Sequence, residues 1–460
     1  MAVSPARAAA FEILLRVERD QSYASELLHS ARMAKLSPGD HGLATELVMG
    51  VLRWRSWLDQ RLARASSQKL ERLDPEVLAA LRLGMYQLQF LSRVPGRAAI
   101  FESVELVKAA GKRSAASFTN AVLRKAAAEP AADVFAGIQR AASPQTLAET
   151  SAHPEWMVAR WVERYGLAAA IQICLHDQAV PVTAIHFQAI HGQPINGQAI
   201  HIQNDQADEE LAREGIAFSP GLLLSSARRV TSGNIAKIWA FREGRIAIQD
   251  EASQFVAILV GRGETILDCC AAPGRKTALL AGRNPDAKVF AVDLHPHRAR
   301  LLRALTRQRN VHVIAADARH LPFQPGFDRI LADVPCSGTG TLSRNPEIKW
   351  RLRPEDLPDL QTRQIAILRS VLAQLAPGGR LVYSTCSLEN EENEAVVEGA
   401  LGGTADFTIV DCREQLDELQ RSGELSWKDI ASLLAGPYLR TIPGLHPCDG
   451  FFAAMIGRTP

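Results

Sequence analysis

Two cysteines each close an apolar run. Phe327-Asp328-Arg329-Ile330-Leu331-Ala332 leads into Asp333-Val334-Pro335-Cys336-Ser337-Gly338, and Arg380-Leu381-Val382-Tyr383 leads into Ser384-Thr385-Cys386-Ser387. Upstream stands Leu267-Asp268-Cys269-Cys270-Ala271-Ala272-Pro273-Gly274-Arg275-Lys276-Thr277. A small-residue loop followed by two strand-end thiols suggests a cofactor site facing paired sulfur. Such a pair suits chemistry at a pyrimidine carbon that is not nucleophilic until a thiolate has attacked the ring. A free thiol, with a pKa near ~8.5, is mostly protonated at neutral pH, so the site should depress it. A base in a nucleic acid would also have to leave its stack to be reached.

The elements that must position these groups alternate strand and helix over residues 236–460. Strands are predicted at 265–270, 288–293, 311–316, 327–332 and 380–385, with a last one at 450–456, and a helix at 354–375 ends before Pro377-Gly378-Gly379. This alternation argues a mostly parallel sheet with helices on both faces. Ligands bind such sheets at the carboxyl ends of the strands, where the notable residues fall. Ala271-Ala272-Pro273-Gly274 follows the first strand, and its small side chains allow close backbone approach. Asp293 ends the second, where a carboxylate can accept both hydroxyls of a ribose. Asp317 ends the third, where a carboxylate could take an adenine amino group. Taken singly, a strand-end Asp is a cap and a strand-end Cys a small core residue. The ordered set of loop, three acids and two thiols is what resists the packing explanation.

The front of the chain reads differently. Residues 1–140 are helical, with apolar residues three and four apart, as in Leu43, Leu47, Val51 and Trp54, then Trp57, Leu58 and Leu62. Ser37-Pro38-Gly39-Asp40, Asp74-Pro75 and Val94-Pro95-Gly96 separate the helices, with Asp40 and Asp74 as candidate N-caps. Residues 141–235 read as a connecting α+β module. Within it His153, before a proline at a helix start, is expected to be structural. Over 181–205, Ile185, Ile190, Ile195 and Ile200 recur every five residues, with His186, His191 and His201 in phase. Five fits neither helix nor strand, so an exposed loop or edge hairpin is expected there rather than a metal site.

The chain of 460 residues has a net charge of only +2, which gives no global signature of nucleic-acid binding. Residues 1–150 nevertheless carry 20 Lys and Arg against 15 Asp and Glu, and the remaining 310 carry 32 against 35. A modestly basic front leaves room for a phosphate-bearing partner. The seven cysteines are neither paired nor spaced as zinc ligands, and they read as free thiols of a reducing, cytoplasmic setting. No apolar stretch reaches a membrane span, and no signal peptide is evident. No metal is expected, and a monomer is the default.

The front residues Glu46-Leu47-Val48-Met49-Gly50-Val51-Leu52-Arg53 with Leu58-Asp59, then Arg93-Val94-Pro95 and Phe118-Thr119-Asn120-Ala121-Val122-Leu123-Arg124, resemble the NusB family of RNA-binding helical domains. The C-terminal part resembles the RNA 5-methylcytosine methyltransferases of the Nol1/Nop2/Sun type. Pro335-Cys336-Ser337-Gly338-Thr339-Gly340, Pro346-Glu347-Ile348-Lys349-Trp350 and Thr385-Cys386-Ser387 with Glu391-Glu392-Asn393 carry that likeness. It implies a multidomain chain: a NusB-like bundle, the connecting module, and a Rossmann-like α/β domain of the class I S-adenosylmethionine-dependent fold. It also implies S-adenosylmethionine as donor, held by Cys270, Ala271, Ala272, Pro273, Gly274, Arg275 and Lys276, with Asp293 on the ribose and Asp317 near the adenine. Asp333 would stand between cofactor and base and orient the base.

The same resemblance gives attack to Cys386 and product release to Cys336, whereas the residues alone leave open which sulfur attacks. With the NusB-like front, the implied substrate is small-subunit ribosomal RNA, at a cytosine of the position-967 type. Transfer RNA, or a non-catalytic assembly factor on the same scaffold, are the other readings. The resemblance often has Gly-Gly-Lys where this chain has Gly274-Arg275-Lys276, so Arg275 is expected to point outward. Its relatives carry an Arg-Val-Asn strand near the position of His186-Phe187-Gln188. Arg298, Arg300, Arg303, Arg307 and Arg309 read as a solvated helix face, while Arg344, Lys349, Arg351 and Arg353 stay open between RNA contact and structure.

Overall fold

The computed structural model describes residues 3–20, 22–129, 133–188, 208–306 and 308–460. The chain forms two compact units. Met1–Pro181 and Leu342–Leu352 make a helical unit; Val182–Thr341 and Arg353–Pro460 make the other.

In the helical unit the NusB-like blocks form packing contacts. Leu47, Val51, Trp54, Leu58 and Leu62 are buried. A Cβ at Gly50 would lie 2.0 Å from the Tyr86 ring, so glycine is what lets helices Pro38–Arg53 and Pro75–Phe90 approach there. The Tyr86 hydroxyl donates to Glu46 at 2.5 Å, and Arg82 grips both oxygens of Asp59 at 2.7 Å. Ser37, not Asp40, is the N-cap of Pro38–Arg53; its hydroxyl accepts from the Asp40 amide at 3.1 Å. Asp74 does occupy the N-cap position of Pro75–Phe90, but it makes no capping bond and lies 3.1 Å from Lys112.

Residues 342–352 reach this unit from far along the chain and close three helix ends. Lys349 Nζ donates to the carbonyls of Arg53 at 2.8 Å and Ala152 at 3.0 Å. Trp350 Nε1 donates to Leu52 O at 2.7 Å, and the Arg351 guanidinium to Val17 O at 2.9 Å. These carbonyls belong to the last turns of Pro5–Arg19 and Pro38–Arg53, or follow Pro144–Ser151. C-terminal carbonyls lack intrahelical partners and carry the negative end of the helix dipole, so cations suit them. Burial lowers the Lys349 ammonium to about 7. Lys349 and Arg351 are thus committed to helix ends. His153 is structural, as expected: its side chain is fully buried, Nδ1 lies 2.8 Å from Ser151 O, and Nε2 lies 3.4 Å from Asp177.

The second unit holds two sheets. The smaller is antiparallel: β1 (Thr183–Phe187), β2 (Ala217–Pro220), β3 (Ala227–Ser232) and β4 (Ile246–Ile248), in the order β2-β3-β1-β4. The expected exposed loop or edge hairpin is therefore corrected at 183–187. That stretch is an interior strand because Ile185 packs with Leu211, Ile216, Ile235 and Ile246. The rest of the five-residue repeat, with His191 and His201, lies outside the described residues.

The larger sheet contains β5 (Thr265–Asp268), β6 (Lys288–Asp293), β7 (Val311–Ala315), β8 (Phe327–Asp333), β9 (Leu375–Thr385), β10 (Phe407–Val410), β11 (Leu434–Ala435), β12 (Tyr438–Thr441) and β13 (Phe451–Arg458). Its order is β11-β12-β13-β9-β8-β5-β6-β7, with β10 also on β13. β5 to β9 pair in parallel, and β13 runs antiparallel to β9. The parallel strands are near-continuous apolar runs because helices cover both faces. Leu259, Leu280 and Leu416 belong to one core cluster, and Ile367, Leu368, Leu372 and Val396 to another.

The predicted helix 354–375 is Leu357–Leu372 after a short turn. β9 starts earlier than expected, at Leu375, and runs through Pro377-Gly378-Gly379, with its pairing on β8 shifting between Phe327 and Arg329. β13 pairs only with Arg380–Thr385, so Pro377 removes no ladder bond on that side. The chain builds β6 and β7 on one side of β5 and β8 and β9 on the other. The carboxyl ends of β5 and β8 therefore flank the switch point where such sheets bind ligands.

Candidate active site

The loop after β5 turns sharply into helix Arg275–Arg283. Ala271 N donates to Val292 O at 2.8 Å, which ties the loop to β6. Gly274 is the N-cap at φ +108°, and a Cβ there would meet Leu302 at 2.5 Å. The left-handed backbone falls on Gly274 and not on Arg275, so the arginine carries no strain. Arg275 is exposed, as expected, and donates to Ile248 O. Ser253, Asp268, Cys270, Ala271, Ala272, Pro273, Arg275, Lys276 and Asp333 line a cavity of about 210 Å³. Asp268 closes β5 and accepts from Thr277 Oγ1 at 2.7 Å; burial pushes its carboxyl up to about 7. Ser253 was not expected here. Its hydroxyl accepts from Gln249 Nε2 at 2.9 Å, and Gln249 Oε1 lies 2.9 Å from the buried His186 Nε2.

Asp333 joins this cavity to the thiol strands. Lys276 Nζ donates to one of its oxygens at 2.6 Å, and Ser384 Oγ to the other at 2.7 Å. Burial opposes the charge on Lys276, but the Asp333 carboxylate outweighs it and raises the ammonium above its usual value. Lys276 Nζ also stands 5.2 Å from the centre of the Phe451 ring.

Cys336 Sγ lies 3.3 Å from Cys386 Sγ, and both residues are half-buried. The hydrogen bond with Cys386, then burial, hold the Cys336 thiol well above its usual range; the charges of Glu392 and Asp333 add to this. The expectation of a depressed thiol therefore does not apply to Cys336. Behind the pair sits Glu392, fully buried. It accepts from Ser337 N at 2.8 Å, from the hydroxyls of Ser337 and Ser387, and from Gln364 Nε2 at 2.9 Å.

The two outer acids lie away from the cavity lining. Asp293 is buried and accepts from His295 N at 3.0 Å, with Arg298 Nε 3.8 Å from its other oxygen. Asp317 is held by Arg319, whose Nη2 donates to one oxygen at 2.6 Å; this bond is the main reason its carboxyl falls to about 2. The structure thus brings together Cys270–Lys276, Asp333, Cys336 and Cys386 at the ends of β5, β8 and β9. It leaves Asp293 and Asp317 at the ends of β6 and β7. Among the described residues no group of three or more His, Cys, Asp or Glu could hold a metal ion, and no helix is long and apolar enough to cross a membrane.

Residues 257–457 match the family described as 16S rRNA methyltransferase RsmB/F, and residues 4–128 match the NusB family. A probable ribosomal RNA small subunit methyltransferase B of Bacillus subtilis (strain 168) is 36% identical over 463 residues, covering 98% of each chain. The chain belongs to the RsmB/F methyltransferase family. A Synechocystis relative with the same description is 32% identical, covering 98% of this chain and 99% of its own. The solved structure of PH0851 shares the fold, with a TM-score of 0.76 at 20% identity over 99% of both chains. Within this RsmB/F chain, Glu392 was visible in the sequence only as part of the Glu391-Glu392-Asn393 block. Ser253 carried no sequence signal, because its place depends on how helix Glu251–Leu259 packs.

Proposed function

We propose that the chain methylates C5 of a cytosine in small-subunit ribosomal RNA, of the position-967 type, through a covalent bond between Cys386 and C6. The observation that carries this reading is the pair of sulfurs 3.3 Å apart, joined through Asp333 to a small-residue cavity. The cavity fits one end of S-adenosylmethionine. Its walls at 270–273 are small, and Lys276 and Asp333 offer both charges. That donor supplies an electrophilic methyl group on sulfur.

Cys386 adds its sulfur to C6, and the ring electrons move to C5. C5 would then take the methyl group, whose bond to the donor sulfur breaks with its electron pair left on that sulfur. Loss of the C5 proton to a base returns that electron pair to the ring, and the Cys386–C6 bond breaks with its pair on sulfur. Cys336, whose sulfur lies 3.3 Å away, can pass a proton to the departing Cys386 sulfur. Asp333, anchored by Lys276 and Ser384, holds a fixed acceptor between cavity and thiols. The NusB-like front is the natural surface for the RNA partner.

The test is methyl transfer from labelled donor to small-subunit ribosomal RNA by the purified chain, with the product mapped by bisulfite sequencing. One new 5-methylcytosine is expected. Methylation of transfer RNA instead, or donor binding without transfer, would move the reading to one of its alternatives.

A further inference from the structure

Glu392 is a buried carboxylate whose four bonding partners are all uncharged. Ser337 gives it both its amide and its hydroxyl, Ser387 its hydroxyl and Gln364 its amide. A carboxylate has about four lone-pair sites, so it is filled. Removing a charge from water without a cation is costly unless hydrogen bonds replace the solvent. Packing alone would be served by a neutral group.

The placement of the donors is specific. Ser337 follows Cys336, and Ser387 follows Cys386, so one carboxylate holds the residue after each thiol. Gln364 ties the same carboxylate to Pro335 O at 2.9 Å, on the other side of Cys336. Gly340 N donates to Cys386 O at 2.9 Å, and Thr339 Oγ1 lies 3.3 Å from Ser387 Oγ. Glu392 is itself fixed, since Tyr383 donates to its backbone carbonyl at 2.6 Å. β8 and β9 bring the thiols to one end of the sheet, but the loops beyond the strands decide how close the sulfurs come.

We propose that Glu392 is the positioning residue of the thiol pair: its carboxylate binds the residues after both cysteines and keeps the two sulfurs within reach of one carbon. This deepens the proposed mechanism and rests on it for its catalytic meaning. The charge of Glu392 also adds to what holds the Cys336 thiol above its usual range.

Glu392→Gln keeps the size and removes the charge and one acceptor. Two readouts on the full chain test the proposal. The first is closure of a Cys336–Cys386 disulfide by oxidised glutathione, followed by mass. One thiolate attacks the glutathione disulfide and releases one glutathione; the second attacks the mixed disulfide and releases another, so two thiols are oxidised and one disulfide is reduced to two thiols. The second readout is methyl transfer against pH.

Displacement of a reacting group by about 1 Å can cost roughly a hundredfold. Glu392→Gln should slow both ring closure and kcat by at least about tenfold, leave KM for the donor within about twofold, and shift the thiol limb of the pH profile to lower pH. If Glu392→Gln does not fold, the double variant Ser337→Ala, Ser387→Ala removes two of the four bonds and should slow ring closure in the same direction. Ring closure and kcat within about twofold of the parent, or a loss of kcat with an unmoved pH limb and unchanged closure, overturns the proposal. If the parent chain methylates no RNA, the proposed function fails, while the disulfide comparison still decides whether Glu392 sets the sulfur spacing.

Discussion

Cys336 Sγ and Cys386 Sγ stand 3.3 Å apart at the ends of two adjacent parallel strands, close enough to share a proton and to address one ring carbon. The proposed mechanism gives the two different tasks: Cys386 attacks, and Cys336 assists release. Cys386→Ala should therefore give no bond to RNA and no product. Cys336→Ala should still attack and methylate, then stall with RNA attached through Cys386. A denaturing gel should show a stable protein–RNA adduct for Cys336→Ala alone. The reverse pattern would give the attack to Cys336. Adducts from neither variant, with methylation intact in both, would leave the thiols as packing residues.

Asp293 ends β6 with one oxygen on a backbone amide and little solvent around it. Its proposed task is to accept the ribose hydroxyls of the donor. Losing a charged acceptor costs about 1.5–3 kcal/mol, or roughly ten- to a hundredfold in affinity. Asp293→Ala should weaken donor binding by that factor in calorimetry and leave RNA binding within about twofold. Unchanged donor affinity in the folded variant removes Asp293 from the site.

Asp268 gives a pH signature. Burial lifts its carboxyl from an ordinary 3.8 to about 7 in the folded chain. Ionisation therefore favours the unfolded chain, and the stability linked to a neutral Asp268 is lost as pH rises from about 4 to about 7. Asp268→Asn does not titrate and escapes this loss. The melting temperature of the variant minus that of the parent should climb across this window and level off above it. A difference that stays flat with pH would mean that Asp268 is ionised throughout.

The strand ends were legible because apolar runs that stop at Asp, Cys or a Pro-Gly loop leave few other places for a sheet to end. β6 is found at its expected bounds, and β5, β7 and β8 within two residues of theirs. β9 was misjudged at its start because Pro377-Gly378-Gly379 reads as a turn, and only the shorter reach of β13 shows why a strand can hold it. Glu392 was unreadable as a bridge. Glu391 and Glu392 are neighbouring acids, and which one faces inward depends on the short turn Asn390–Glu392. Lys349 was equally opaque, since its acceptors lie 197 and 296 residues away and no local pattern announces a contact at that range.

That long reach sharpens what a truncated chain should do. A segment 236–460 keeps every residue lining the cavity, from Ser253 to Asp333, and both thiols. It also keeps Lys349, Trp350 and Arg351, but loses the carbonyls of Val17, Leu52, Arg53 and Ala152 that they bond. It should bind the donor and methylate RNA poorly. The front half also carries the basic excess, and phosphate contacts dominate RNA affinity and fall with salt. Adding residues 1–181 in trans should re-form the helical unit around 342–352 and raise turnover, more at low salt than at high. Full turnover by 236–460 alone, at equal RNA and salt, would show that neither the basic front nor the closed helix ends matter for the reaction.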